Sequence, residues 1–234
     1  MLMLIAVVLV VSGALVVGAA WGVYGKLSDK LEGFLVALAG GALLLSVTSE
    51  LIEPSIAKST VFHAMLGVGA GALVFAICDY LIDEKWGDDS GGGLLAAITL
   101  DGIPENLALG VALIGSGSLE VAALAGSILL SNLPEAAGGA RAMAAKGRST
   151  GKIMWLWVLT AALLSAAAIA GNLLLAGVDE GTLAVIRCFA AGAVIASLAT
   201  EVFPKAYQED RHLAGVATAL GAILAFSLGS LSGG

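Results

Sequence analysis

Two six-residue segments hold the residues whose types and spacing could do chemistry: Leu100-Asp101-Gly102-Ile103-Pro104-Glu105 and Leu130-Ser131-Asn132-Leu133-Pro134-Glu135. Each sets a glutamate directly after a proline in the middle of a long apolar run. Positions i and i+4 of a helix share a face. Asp101 therefore stands over Glu105, and Ser131 over Glu135, with Asn106 and Asn132 beside them. Proline lacks an N–H and displaces the carbonyl four residues back, which is Leu100 for Pro104 and Leu130 for Pro134. Charged groups at bilayer depth are costly and mark ion paths, and a proline there frees backbone carbonyls to face a cavity. Carboxylates left without a partner take up a proton or demand a cation. No lysine or arginine lies between Lys85 and Arg141 to neutralise them. Two such helices packed together read as a cation site built from oxygen.

The elements that must position these residues are membrane helices. The chain is 59% hydrophobic and 12% charged, against about 25% charged in soluble domains. Crossing the hydrocarbon core takes about 20 apolar residues. Eight stretches fit, at 2–23, 33–53, 61–82, 92–114, 119–142, 153–176, 182–204 and 212–232. The first has no basic leader and reads as a retained helix. The connections, such as residues 25–30, 57–60 and 83–89, are short and polar. The expected fold is an all-α integral membrane protein, a single transmembrane domain over residues 1–234.

Basic residues set the orientation. With the N-terminus outside, the inner loops hold nine of the eleven lysines and arginines, and the outer side keeps only Lys58 and Arg187. Both termini are therefore expected outside the cytoplasm, with Asp101 and Ser131 near mid-membrane. The net charge of −7 argues against nucleic acid and anionic lipid as partners and suits a cation ligand.

An internal repeat sharpens the architecture. Gly41-Ala42-Leu43-Leu44-Leu45-Ser46 aligns with Gly192-Ala193-Val194-Ile195-Ala196-Ser197 at an offset of 151, and the same offset pairs Glu50 with Glu201. Pro54 and Pro204 follow, one residue out of step with that offset. Helices two and seven run in opposite directions, so this is the trace of an inverted repeat, a recurrent transporter design. A 3+2+3 arrangement follows, with helices four and five between two related triplets.

Other polar residues carry less. Glu50 and Glu201 lie near span ends, where a carboxylate either reaches water or relays an ion, Glu50 at the outer mouth and Glu201 at the inner. Asp79 reads as a hydrogen-bonding partner between helices, and His63 and His212 as solvated residues at span boundaries. Cys78 and Cys188 lack Cys-x-x-Cys spacing and read as small buried hydrophobes.

The paired proline–glutamate motifs, eight spans, and Ala190-Ala191-Gly192-Ala193 followed by Glu201 and Pro204 resemble the ZIP (Zrt/Irt-like) family of divalent metal transporters. The family's helix-four motif, His-Asn-x-Pro-Glu-Gly, corresponds to Asp101-Gly102-Ile103-Pro104-Glu105-Asn106. Its helix-five motif corresponds to Ser131-Asn132-Leu133-Pro134-Glu135-Ala136. The resemblance implies metal ligands at Asp101, Glu105, Ser131, Asn132 and Glu135, with Asn106, Glu50 and Glu201 along the path. Gly102 replaces a ligand asparagine, and no acid replaces the helix-six glutamate of two-metal relatives. It also implies inward transport of zinc, iron or manganese and a homodimer in the cell (inner) membrane. Loss of the histidine favours manganese or iron, since oxygen ligands suit harder ions. The ion is cargo; no resident cofactor and no enzymatic activity are expected. Two other classes compete. A membrane protein that binds or senses metal without moving it would carry the same ligands. An intramembrane aspartyl protease using Asp79 and Asp101 would need a Gly-x-Gly-Asp-like setting, which Leu100-Asp101-Gly102 does not supply.

Overall fold

The computed structural model describes residues 2–86, 91–114 and 121–232, with side chains for all of these except positions 83, 85–86, 91–98, 101 and 232. Among the described residues there is no strand. The helices are α1 (Leu2–Tyr24), α2 (Asp29–Val47), α3 (Glu53–Lys58), α4 (Val61–Trp86), α5 (Gly91–Ala112), α6 (Ala122–Ala145), α7 (Thr150–Leu175), α8 (Glu180–Ser197), α9 (Phe203–Glu209) and α10 (Ala214–Ser232). A π-helical turn at Thr48–Ile52 joins α2 to α3, and a second at Leu198–Val202 joins α8 to α9.

Local chemistry fixes the ends. The Ser28 hydroxyl accepts from Leu31 N at 3.3 Å and starts α2, while the Asp179 carboxylate accepts from Thr182 N at 3.0 Å and starts α8. Side-chain oxygens at such positions satisfy amides that have no partner inside the helix. Ionised Asp179 is favoured by that bond, so its carboxyl is held below the ordinary range. α6 stops at Gly147, whose φ of 80° suits glycine. There Arg148 N bonds Met143 O and Gly147 N bonds Ala144 O, the paired closure of a Schellman end.

Among the described residues, six rods are long and apolar enough to cross a membrane: α1, the continuous Asp29–Lys58 rod, α4 (over Val61–Ile82), α7, the Glu180–Glu209 rod and α10. The chain is a multi-pass α-helical membrane protein. Its outer faces carry Leu9, Leu73, Leu163, Ile223 and Phe226 in exposed positions, which is what lipid contact requires. α5 and α6, which hold Pro104 and Pro134, stand outside that set of six.

Packing follows glycine seams. α2 lies along α10 and α4 along α8. A Cβ on Gly41 would run into the Thr218 carbonyl and one on Gly221 into that of Leu38; likewise Gly192 faces the Val68 carbonyl and Gly71 that of Phe189. Small residues let membrane helices approach this closely. α1 packs on α6, with Gly18 and Gly22 against the carbonyls of Leu133 and Ala137, and α5 packs on α7, with Gly110 against that of Ala168. α5 and α6 touch each other; α5 also packs on α8 and α4, and α6 on α2 and α10. Leu43, Leu109, Leu124, Ile128 and Val194 form a buried core joining α2, α5, α6 and α8.

The predicted boundaries need one revision. The second and seventh helices extend beyond 33–53 and 182–204 to Asp29–Lys58 and Glu180–Glu209. Hydropathy marks only the apolar centre, whereas hydrogen bonding carries each rod through its polar ends. The two π turns also account for the shift in the repeat. They match at an offset of 150, as do Pro54 and Pro204, while Gly41 and Gly192 differ by 151. α8 is one residue shorter than α2.

Candidate functional site

Pro104 and Pro134 lie inside continuous helices, so the motifs stay helical through the proline. Glu105, Asn106, Ser131 and Asn132 are all buried, and Glu135 is half-buried. The backbone of Asp101 belongs to α5, but its side chain lies outside the described residues. Of the connection predicted at 83–89, residues 83–86 instead continue α4, and 87–89 lie outside the described residues.

The two asparagines are held by their amide nitrogens. Asn106 Nδ2 donates to Gly102 O at 2.9 Å, and Asn132 Nδ2 donates to Val11 O on α1 at 2.9 Å. Asn106 Oδ1 is buried and has no hydrogen-bond partner among the described residues. The same is true of Ser12 Oγ, next to Val11 on α1. Buried acceptors of this kind are normally satisfied. Each asparagine thus spends an amide N–H on a backbone carbonyl, and the Asn106 amide oxygen is left as an acceptor without a hydrogen-bond partner among the described residues. Glu135 is within electrostatic reach of Lys205 and Glu201, so the second repeat's π turn and α9 bring charge to the α6 motif.

Arg141 and Lys205 are engaged by acids of α2. Arg141 pairs with Asp29 at 2.6 Å and with Glu32 at 2.8 Å, and Lys205 pairs with Glu32 at 2.9 Å. Arg141 also donates to Leu27 O. Arg187 is buried and donates to Val111 O and Ile114 O, at the C-terminal end of α5, where carbonyls lack helical partners.

Glu50 is not simply a surface anchor. Its Oε1 accepts from the backbone N–H of Leu124 in the first turn of α6 at 3.0 Å. Its Oε2 is buried and has no hydrogen-bond partner among the described residues. Glu201 occupies the matching π turn and is half-buried. His63 and His212 are exposed, as their positions at span boundaries suggested. His63 lines a polar hollow of about 590 Å³ with Lys58, Asp179 and Thr182, away from both proline–glutamate motifs. Cys78 and Cys188 are free thiols, the second buried. Among the described residues no three His, Cys, Asp or Glu side chains converge on one position.

Neither a family model nor a curated protein matches this chain.

Sequence reasoning missed three buried serines and one acid. Ser46 Oγ and Ser127 Oγ lie 2.7 Å apart across α2 and α6. Ser12 holds an unpartnered hydroxyl, and Glu32 anchors two cations. The spacing of Ser127, Ser131 and Glu135, four residues at each step, is a visible signal that one face of α6 is polar. Nothing in the sequence reveals that Ser46 meets that face.

Proposed function

We propose that this chain is a secondary transporter of divalent transition-metal cations, moving zinc, iron or manganese toward the cytoplasm through an oxygen-rich site on α5 and α6. In this reading the eight rods form a 3+2+3 inverted-repeat bundle of the ZIP type, with both termini extracytoplasmic. Asp101, Glu105, Ser131, Asn132 and Glu135 are the ligands, and Asn106, Glu50 and Glu201 line the path. The chain is not an enzyme, and it works as a homodimer in the cell (inner) membrane.

The observation that carries the proposal is the burial of Glu105, Asn106, Ser131 and Asn132 on two touching, proline-containing helices of a multi-pass membrane protein. Acids and amides at membrane depth are costly and mark ion paths by default. The paired seams α2–α10 and α4–α8, and the two π turns, support the repeat. Inverted repeats place their site where the halves meet, and α5 and α6 touch elements of both. The all-oxygen donor set fits a hard or borderline divalent ion.

The direct test is metal content. Purified wild-type protein dialysed against manganese(II) or zinc(II) should retain metal by mass spectrometry, and Glu105→Ala and Glu135→Ala should not. Retention unchanged in both variants would refute the site. Binding without uptake in proteoliposomes would make the protein a metal-holding membrane protein instead.

A further inference from the structure

We propose that the serine pair Ser46–Ser127, together with Glu50 and Ser131, forms the outer cation route to Glu135. The proposal rests on the transport reading and adds to it the way by which the ion reaches the site.

Proton counting at the pair is the starting point. Three contacts are present: Ser46 Oγ to Ala42 O at 2.8 Å, Ser127 Oγ to Ala123 O at 2.7 Å, and the two hydroxyl oxygens to each other at 2.7 Å. A serine hydroxyl carries one proton and two acceptor lone pairs. Two protons cannot serve three bonds. If both hydroxyls donate to their own helices, two lone-pair-bearing oxygens face each other in a buried setting. If one donates across, the pair still has more acceptor sites than protons. Either way the pair is rich in acceptors, and a cation relieves that imbalance.

Its surroundings make this more than helix glue. Ser46 and Ser127 are both almost wholly buried, and Ser127 lies between Leu124 and Ile128, which are fully buried in the apolar core. On the outer side, Ser46 precedes Glu50 by four residues, and Glu50 is tied to Leu124, three residues before Ser127. The second oxygen of Glu50 has no hydrogen-bond partner among the described residues. On the inner side, Ser131 and Glu135 continue the same face of α6 at intervals of four residues. At ~1.5 Å of rise per residue, Leu124 to Glu135 covers roughly 16 Å, in steps of about one helical turn. A carboxylate stands at each end of this file, with only hydroxyl oxygen between them. Such a file replaces the hydration of a divalent ion piecewise and holds it weakly enough to let it pass, the balance conduction needs. No nitrogen or sulfur donor of the route is among these residues, so it suits the harder ions.

The experiment has two arms. In the first, manganese(II) uptake and equilibrium manganese(II) binding are measured for wild type and Ser46→Ala/Ser127→Ala. Uptake should slow roughly thirtyfold, the scale of losing two neutral ligands worth about 1 kcal/mol each, while bound metal per protein is unchanged. Equal loss of binding and thermal stability would mean the pair only joins helices, and uptake within twofold of wild type would overturn the proposal. In the second arm, Cys78 and Cys188 are replaced by alanine, and Ser127→Cys and Ile128→Cys are exposed to cationic aminoethyl methanethiosulfonate from outside. Cysteine at 127 should be modified and protected by manganese(II); cysteine at 128 should not react. If neither position reacts, or both react equally, the route is refuted. Should wild type neither bind nor take up manganese(II), the transport reading fails, and labelling alone then decides whether the file admits cations.

Discussion

Glu32 and Arg141 meet at 2.8 Å across α2 and α6, and the Glu32 side chain is only 2% exposed. The same carboxylate holds Lys205 of α9 at 2.9 Å. One buried acid thus ties three elements together, and it sits against the backbone of Gly138, three residues past Glu135. Removing one member of a buried pair costs about 3–5 kcal/mol. Arg141 and Lys205 reach water, so solvent screening reduces this. Glu32→Ala should destabilise the protein by about 2–3 kcal/mol in denaturant unfolding in detergent. Gly138→Ala should have a similar effect, because its Cβ would occupy the place of a carboxylate pinned by two cations. Stability equal to wild type in both variants would show that the cluster is incidental.

Glu50 does two separable things. As the cap of α6 it satisfies Leu124 N through Oε1, and in the proposed route it supplies Oε2 as a charge at the outer end. Glu50→Gln retains an oxygen for the cap but loses the charge. It should melt as wild type does yet take up metal more slowly. Glu50→Ala should lose about 1 kcal/mol of stability in addition, the usual worth of a cap. Identical uptake by Glu50→Gln and wild type would leave Glu50 with the capping role alone.

The glycine seams give a stability test with an internal control. At Gly41 and Gly192 a Cβ would strike the backbone carbonyls of Thr218 and Val68, which cannot step aside as a flexible side chain can. Gly41→Ala and Gly192→Ala should each cost about 1–3 kcal/mol, the range for overpacking. Gly13 and Gly69 have nothing within 4 Å of such a Cβ. There, alanine should gain about 0.5–1 kcal/mol by restricting the unfolded helix. Thermal melts of the four variants decide it, and a shared direction of change would contradict the packing.

What could be read in the sequence was what depends on local order. Apolar runs gave the helices, and Pro104, Pro134 and the acids after them marked α5 and α6 before any contact was known. Residues 41–46 and 192–197, alike in sequence, each carry a glycine that meets a neighbouring helix's carbonyl, at Thr218 and Val68. Contacts between distant residues were not legible. Glu50 meets Leu124 across 74 positions and Arg141 meets Glu32 across 109, and no periodicity encodes such a meeting. Glu32 lay beyond the apolar window that defined the second span, so hydropathy hid the acid that holds both Arg141 and Lys205. The π turns were invisible for another reason: they change hydrogen-bond register without changing residue type. Their only trace was the one-residue disagreement between the paired glycines and the paired prolines.

In the proposed function, Glu105 and Glu135 hold a metal ion in transit. This role is tested most directly by manganese(II) and zinc(II) uptake into proteoliposomes containing wild type, Glu105→Ala or Glu135→Ala at matched incorporation. Wild type should accumulate metal well above protein-free vesicles, and each variant should fall to that background, since each removes a charge from a desolvated cation. Uptake by both variants at the wild-type rate would contradict the account.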